Sequence, residues 1–158
     1  MLALVIGFAA SAQIRLGHIN SQELLEMMPE KTAAFKKAEA LATELQKKLE
    51  TMSAEYEQKV TDYQAKEATM SQTIKQSTVA EITSLQQRIQ QFQSTAQEEI
   101  AKEEQRLLQP ILDKARTAIS NVAKANGFAY IFDISSGATV YEGGENVLPL
   151  VKKELGIQ

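Results

Sequence analysis

Histidine is the side chain best suited to proton transfer and metal binding near neutral pH, and this chain of 158 residues holds one, His18. Cysteine is absent, so thiol nucleophiles, disulfides and Cys-ligated zinc or iron–sulfur sites cannot be built. With no second His or Cys to join it, His18 reads as a structural imidazole in a short strand. Carboxylates are plentiful, but Glu98-Glu99 and Glu103-Glu104 fall in helix-forming sequence, where a solvated face accounts for them. Neither G-x-x-x-x-G-K-[ST] nor G-x-G-x-x-G occurs, so nothing cradles a nucleotide phosphate. Asp133 closes an apolar run, and a hydrogen-bonding role near a turn is expected for it. The chain is therefore expected to be no enzyme, with no catalytic residue, metal site or cofactor. A net charge of -3, from 17 Lys and Arg against 20 Asp and Glu, also argues against nucleic acid as a partner.

The elements around these residues show what the chain does instead. Residues 30–109 contain neither Gly nor Pro, a breaker-free stretch unsuited to a compact enzyme. Its apolar residues step by three and four from Phe35, Ala38 and Ala42 through Leu45, Leu49, Met52, Tyr56 and Val60 to Tyr63, then by seven to Met70 and four to Ile74. That is a heptad seam with one stutter near Tyr56, and a second seam runs from Ile82 to Val122. Narrow apolar seams on polar helices need partner helices. Thr78-Val79-Ala80-Glu81 has capping-box spacing, and the midpoint between the flanking strands is close to residue 74, so an antiparallel hairpin is expected to turn within about residues 72–80. Pro110 is expected to kink the second arm or mark a segment junction.

At the N-terminus, Leu2 to Ala10 is apolar and too short to span a bilayer, and Ala10-Ser11-Ala12 suits signal peptidase. Residues 1–12 are expected to be an export signal cut after Ala12, which places the mature chain in the periplasm or outside the cell, with at most peripheral membrane association. Residues 13–29 read as a strand and a short helix capped by Asn20-Ser21-Gln22-Glu23, with Pro29 ending it or opening the next. Residues 30–126 read as the helical arm, closed by Asn126-Gly127. In residues 127–158, Phe128 to Ile134 is expected as a strand with Phe128, Tyr130, Phe132 and Ile134 on one face. Ala138 to Glu142 should return beside it as a β-hairpin, followed by a short helix capped by Asn146 and ended by Gly156. The fold class expected is mainly α with a small β body: a long antiparallel coiled-coil α-hairpin projecting from a sheet of N- and C-terminal strands.

Two surfaces are candidates for binding. Residues 72–97 include eight Gln and seven Ser or Thr but only three charges, Lys75, Glu81 and Arg88. Ile74, Val79, Ile82, Leu85, Ile89 and Phe92 punctuate that polar stretch, a pattern suited to loose contact with unfolded chains; an ordinary seam between the arms accounts for most of them equally well. The body is too small to sustain a lone core, so pooling of strands from several subunits is expected through Ile14, Leu16, Phe128, Tyr130, Ile131, Phe132, Val140 and Tyr141.

The ends of the chain carry a resemblance. Ile14-Arg15-Leu16-Gly17-His18-Ile19-Asn20-Ser21, Ala125-Asn126-Gly127-Phe128-Ala129-Tyr130-Ile131-Phe132-Asp133 and Ala138-Thr139-Val140-Tyr141 resemble the Skp/OmpH family of periplasmic chaperones. The resemblance implies a homotrimer whose strands form a common body. Its helical arms enclose unfolded outer-membrane proteins and prevent their aggregation without ATP. The best-known members have strongly basic arms, whereas residues 32–106 here hold ten Lys and Arg against twelve Asp and Glu, so no lipid-binding residues are carried over. The alternative expectation is a structural or adaptor coiled coil of the cell envelope without chaperone activity.

Overall fold

The computed structural model describes residues 14–157; the expected export signal lies outside the described residues. The elements run β1 (Arg15–Ile19), α1 (Ser21–Met27), α2 (Pro29–Lys66), a 3-10 turn (Glu67–Thr69), α3 (Gln72–Asn126), β2 (Phe128–Asp133), β3 (Glu145–Asn146) and α4 (Leu148–Leu155). The chain is thus mainly helical with a small sheet of N- and C-terminal strands. It divides into two compact units, one of residues 30–110 and one made of the flanks.

In the first unit α2 and α3 run antiparallel. Lys59 Nζ lies 3.4 Å from Glu81 Oε2, and the Lys48 ammonium sits 5.2 Å from the centre of the Phe92 ring. The turn is at residues 67–71, not within 72–80. Met70 is extended, its N–H donates to the Glu67 carbonyl at 3.2 Å, and the Ser71 hydroxyl accepts from the Ile74 N–H at 3.4 Å. Ser71 is therefore the N-terminal cap of α3. Thr78, expected to cap, lies inside the helix, where its hydroxyl donates to the Ile74 carbonyl four residues back at 2.9 Å. A step of seven in the seam, from Tyr63 to Met70, was the trace of this turn. The seam also begins differently: Ala34 and Ala38 are buried, while Phe35 points to solvent.

α3 continues through Pro110, and the two units divide there. The arm was expected to run to residue 126. Instead the last part of α3 buries Ile111, Ala115, Ala118 and Val122 in the core of the flanking unit, together with Ile19, Leu24, Met28, Val147 and Val151. Each Val, Leu, Ile or Met side chain so buried contributes about 1.5–3 kcal/mol. Gly127, with φ +69°, ends α3 in the left-handed conformation that glycine adopts without strain.

The sheet has the order β2-β1-β3 with both pairings parallel. Parallel neighbours need a crossover, and α1 to α3 supply the one between β1 and β2. The expected β-hairpin does not form: residues 138–142 lie in the loop before β3, and β3 takes the free edge of β1. Close approach decides this. A Cβ on Gly144 would lie 2.9 Å from the Leu16 carbonyl oxygen, so glycine alone lets the chain lie against β1 there. Gly17 is equally constrained, since a Cβ would stand 2.9 Å from Val147 Cγ1 and 3.2 Å from Phe128 Cε1. The β1–β2 register skips Ala129 between Arg15↔Phe128 and Leu16↔Tyr130. That bulge puts Phe128 on the opposite face from Tyr130 and Phe132, against the expected shared face.

Candidate functional site

The six apolar residues expected to bind on the helical hairpin separate into two groups. Ile74 and Val79 are exposed, Ile74 to 53 %. Val79 lines a shallow cleft of about 510 Å³ near the turn, with Tyr63, Glu67, Lys75, Gln76 and Ala80. The Tyr63 hydroxyl donates to Glu67 Oε1 at 3.2 Å; partial burial, and then the Glu67 carboxylate, raise the phenol above its ordinary pKa. Leu85 is 1 % exposed and packs in the seam between the helices, not on the surface. Ile82, Ile89 and Phe92 are half-buried. Phe92 adjoins a second cleft of about 340 Å³ with Leu45, Leu49, Ala96 and Ile100, and its ring carries the Lys48 ammonium. The exposed aromatic on the hairpin that sequence reasoning missed is Phe35, expected as the first seam residue, a place that Ala34 takes instead.

Further along the hairpin, Arg106 donates to both oxygens of Glu103, from Nε at 2.6 Å and Nη2 at 2.5 Å. These bonds hold the Glu103 carboxyl below its ordinary pKa, with a smaller contribution from Lys37. The Arg106 side chain is largely exposed, which fits a solvated helix surface.

The residues expected to assemble the body also divide. Phe128 is 8 % exposed; its ring lies under the Arg15 guanidinium at 4.3 Å and packs toward Gly17. It belongs to the chain's own core and not to the exposed face. Ile131 is half-buried. Ile14, Leu16, Tyr130, Phe132, Val140 and Tyr141 are exposed, Ile14 to 70 % and Tyr141 to 85 %. The rings of Tyr130 and Phe132 stack at 6.1 Å between centroids. A cavity of about 750 Å³ opens between β1 and the loop before β3, lined by Leu16, His18, Phe132, Tyr141 and Glu142 among others.

Arg15 and Asp133 hold this body together. Arg15 donates to the Asn126 carbonyl and to Glu145 Oε2, each at 2.6 Å, tying the end of α3 and the start of β3 to β1. Asp133 accepts from the Ser21 N–H at 3.1 Å, the Ser21 hydroxyl at 2.5 Å and the Ser135 N–H at 3.0 Å. Partial burial opposes its charge, but these hydrogen bonds outweigh burial and lower its pKa. Its role is the hydrogen-bonding one expected, fastening the end of β2 to the start of α1. Among the described residues no group of three or more His, Asp or Glu side chains is arranged to hold a metal, and no helix is long and apolar enough to cross a membrane.

The architecture has a relative of known structure. An OmpH-like protein of Caulobacter crescentus CB15, provisionally described as an outer membrane chaperone, superposes with a TM-score of 0.80 at 15 % identity. The match covers 95 % of this chain and 88 % of that one, and shows a shared fold. No curated protein matches the sequence. The model of the family described as outer membrane protein (OmpH-like) matches residues 15–155, from the first residue of β1 to the last of α4. The chain belongs to the OmpH-like outer membrane protein family.

Proposed function

We propose that this chain is a periplasmic holdase that binds unfolded outer-membrane proteins and keeps them from aggregating, without ATP. The observation that carries this reading is the α2–α3 hairpin, long and polar, yet displaying Phe35, Ile74 and Val79 to solvent. Isolated apolar side chains on a polar surface give contacts that are individually weak. Repeated over several arms, such contacts hold a chain by avidity without a shaped pocket. Family membership and the fold shared with the Caulobacter protein support the reading.

Holding by avidity requires more than one copy, and the body supplies a surface for it. Ile14, Leu16, Tyr130, Phe132, Val140 and Tyr141 leave much apolar area in solvent on a unit with a small core. We infer that copies associate through this face as a homotrimer, with unfolded protein held in the cavity between their helical arms. Export by residues 1–12 puts the chain where such clients travel.

The test is a light-scattering assay on a urea-unfolded outer-membrane β-barrel diluted into buffer without ATP. Suppressed scattering at one trimer equivalent is expected. Unchanged scattering overturns the holdase reading and leaves a structural coiled coil. Multi-angle scattering on the same sample reads the subunit number, and a monomer mass overturns the shared body.

A further inference from the structure

Six of the eight glutamines in residues 72–97 lie on one stripe of α3. Gln72, Gln76, Val79, Thr83, Gln86, Gln90, Gln93 and Gln97 follow one another in steps of 4, 3, 4, 3, 4, 3 and 4, the spacing that keeps side chains on one face of a helix. All six glutamines are exposed. On α2, by contrast, Gln46 and Gln58 donate to carboxylates four residues on, Glu50 at 3.0 Å and Asp62 at 2.9 Å. Among the described residues no partner of that kind engages the carboxamides of the stripe.

Two of the three charges in this stretch keep clear of the stripe. Glu81 and Arg88 each lie two residues from stripe members on either side, about 200° round the helix, and Glu81 meets Lys59 there at 3.4 Å. Lys75 stands beside the stripe, at the rim of the cleft near the turn. Each end of the stripe opens on a cleft. Gln72, Gln76 and Val79 line the one near the turn with Tyr63, and Gln93 and Gln97 line the one that holds Leu45, Phe92 and Ala96.

A carboxamide both donates and accepts, so a row of them can meet the N–H and C=O groups of an extended chain whatever its side chains. A row of charges could not, because an uncharged segment would strip them of water and leave them unpaired. Length fits one kind of segment. From Gln72 to Gln97 the stripe rises about 38 Å along the helix axis. An extended chain covers that distance in about 11 residues, and a β-strand that crosses a bilayer has about 9–11.

We propose that this stripe is a track for one membrane-crossing strand of an unfolded outer-membrane protein, held extended along α3. Such strands alternate apolar and polar residues. The apolar side chains settle against Val79 and into the two clefts, and the strand backbone exchanges its water for the glutamine carboxamides. The track rests on the holdase reading and adds to it the kind of segment that is held and the helix that holds it.

Fluorescence anisotropy of a dye-labelled, urea-unfolded outer-membrane β-barrel, diluted into the full chain without ATP, tests the track. Gln86→Glu with Gln93→Glu puts two charges on the stripe and should weaken binding about tenfold, because a charge covered by a neutral segment loses its water unpaired. Gln86→Lys with Gln93→Lys should weaken it about as much, since that loss does not depend on sign. Ser84→Glu with Gln91→Glu moves the two carboxylates two residues back, to the far side of the helix, and should stay within about twofold of the wild type. All four positions are exposed, and circular dichroism checks that each variant keeps its helix. A loss in the Ser84 and Gln91 pair that equals or exceeds the loss on the stripe overturns the track, as does lysine binding that matches or exceeds the wild type. A wild type that binds no barrel overturns the holdase reading and the track together.

Discussion

Lys59 and Glu81 meet across the hairpin at 3.4 Å, and each stands eleven residues from Met70. The next pair out, Lys48 over the Phe92 ring, lies eleven residues further along each helix. Lys37, which adds to the lowered pKa of Glu103, follows after eleven more, as does Glu103 itself. Eleven residues make three turns at about 3.67 residues each, a repeat that winds paired helices right-handed, whereas a strict heptad winds them left-handed. The stutter near Tyr56 belongs to this longer period.

Cross-hairpin pairing about Met70 makes the turn a tolerant site and the neighbouring helix an intolerant one. Two glycines inserted between Ala68 and Thr69 should cost less than about 1 kcal/mol, because lengthening a loop is cheap. The same insertion between Ser77 and Thr78 slips every pair on α3 and should cost on the order of 2 kcal/mol or more. Urea denaturation followed by circular dichroism separates the outcomes; equal losses would put the turn elsewhere.

The long helices were legible because Ala, Glu, Lys, Gln and Leu favour helix and the seam is periodic. The turn was not, because Ser71 lacks a Glu three residues on whereas Thr78 has one; strength of motif outweighed position. The strands were legible as alternating runs, but alternation does not say which edge a strand takes. Gly144 against the Leu16 carbonyl and the bulge at Ala129 decided the sheet, and both are contacts between residues more than a hundred positions apart. Among the candidate binding residues, period alone could not tell Ile74 from Leu85, since both fit a seam until the partner helix is placed.

Leu85 and the exposed pair should respond oppositely. Leu85→Ala empties a buried site and should destabilise the hairpin by about 2–4 kcal/mol. Ile74→Ser with Val79→Ser should change stability by less than about 0.5 kcal/mol per site while weakening suppression of aggregation. Denaturation and light scattering on the same preparations read both effects. Full suppression by the serine double variant would remove these two residues from the binding surface.

Gly17 tests the packing of the body. Gly17→Ala puts a Cβ 2.9 Å from Val147 Cγ1 and 3.2 Å from the Glu145 carbonyl oxygen, and should destabilise by about 1–3 kcal/mol. Gly127→Ala meets nothing within 4 Å and suffers only from its positive φ, about 1 kcal/mol. Thermal melts should rank the two in that order.

Asp133 predicts how the body responds to acid. Its folded pKa lies below its ordinary one, so its hydrogen bonds contribute fully above the unfolded value and are lost as pH falls through the folded value. Solvent exposure limits the effect to below about 1 kcal/mol. Asp133→Asn should lower stability at neutral pH and flatten its decline between about pH 5 and pH 2. An unchanged slope in urea titrations over that range would show the carboxylate to be idle.

Tyr130 and Phe132 test assembly. Phe132→Lys with Tyr130→Lys places two charges on the exposed sheet face, where neither ring fills the chain's own core. The variant should keep its helical circular dichroism and lose mass by multi-angle scattering, because burying an unpaired charge in an interface is costly. An unchanged mass would place the contact between copies on another face.

The position of β1 at the centre of its sheet has a consequence in time. Both of its neighbours come from the far end of the chain, β2 beginning at Phe128 and β3 at Glu145. The first strand to be synthesised waits for more than a hundred residues before either edge can close. Until then α2 and the start of α3 can pair with each other but not with a finished base. A chain stopped before Glu145 would leave β1 without its second edge partner, so completion of the body reports that the whole sequence has arrived.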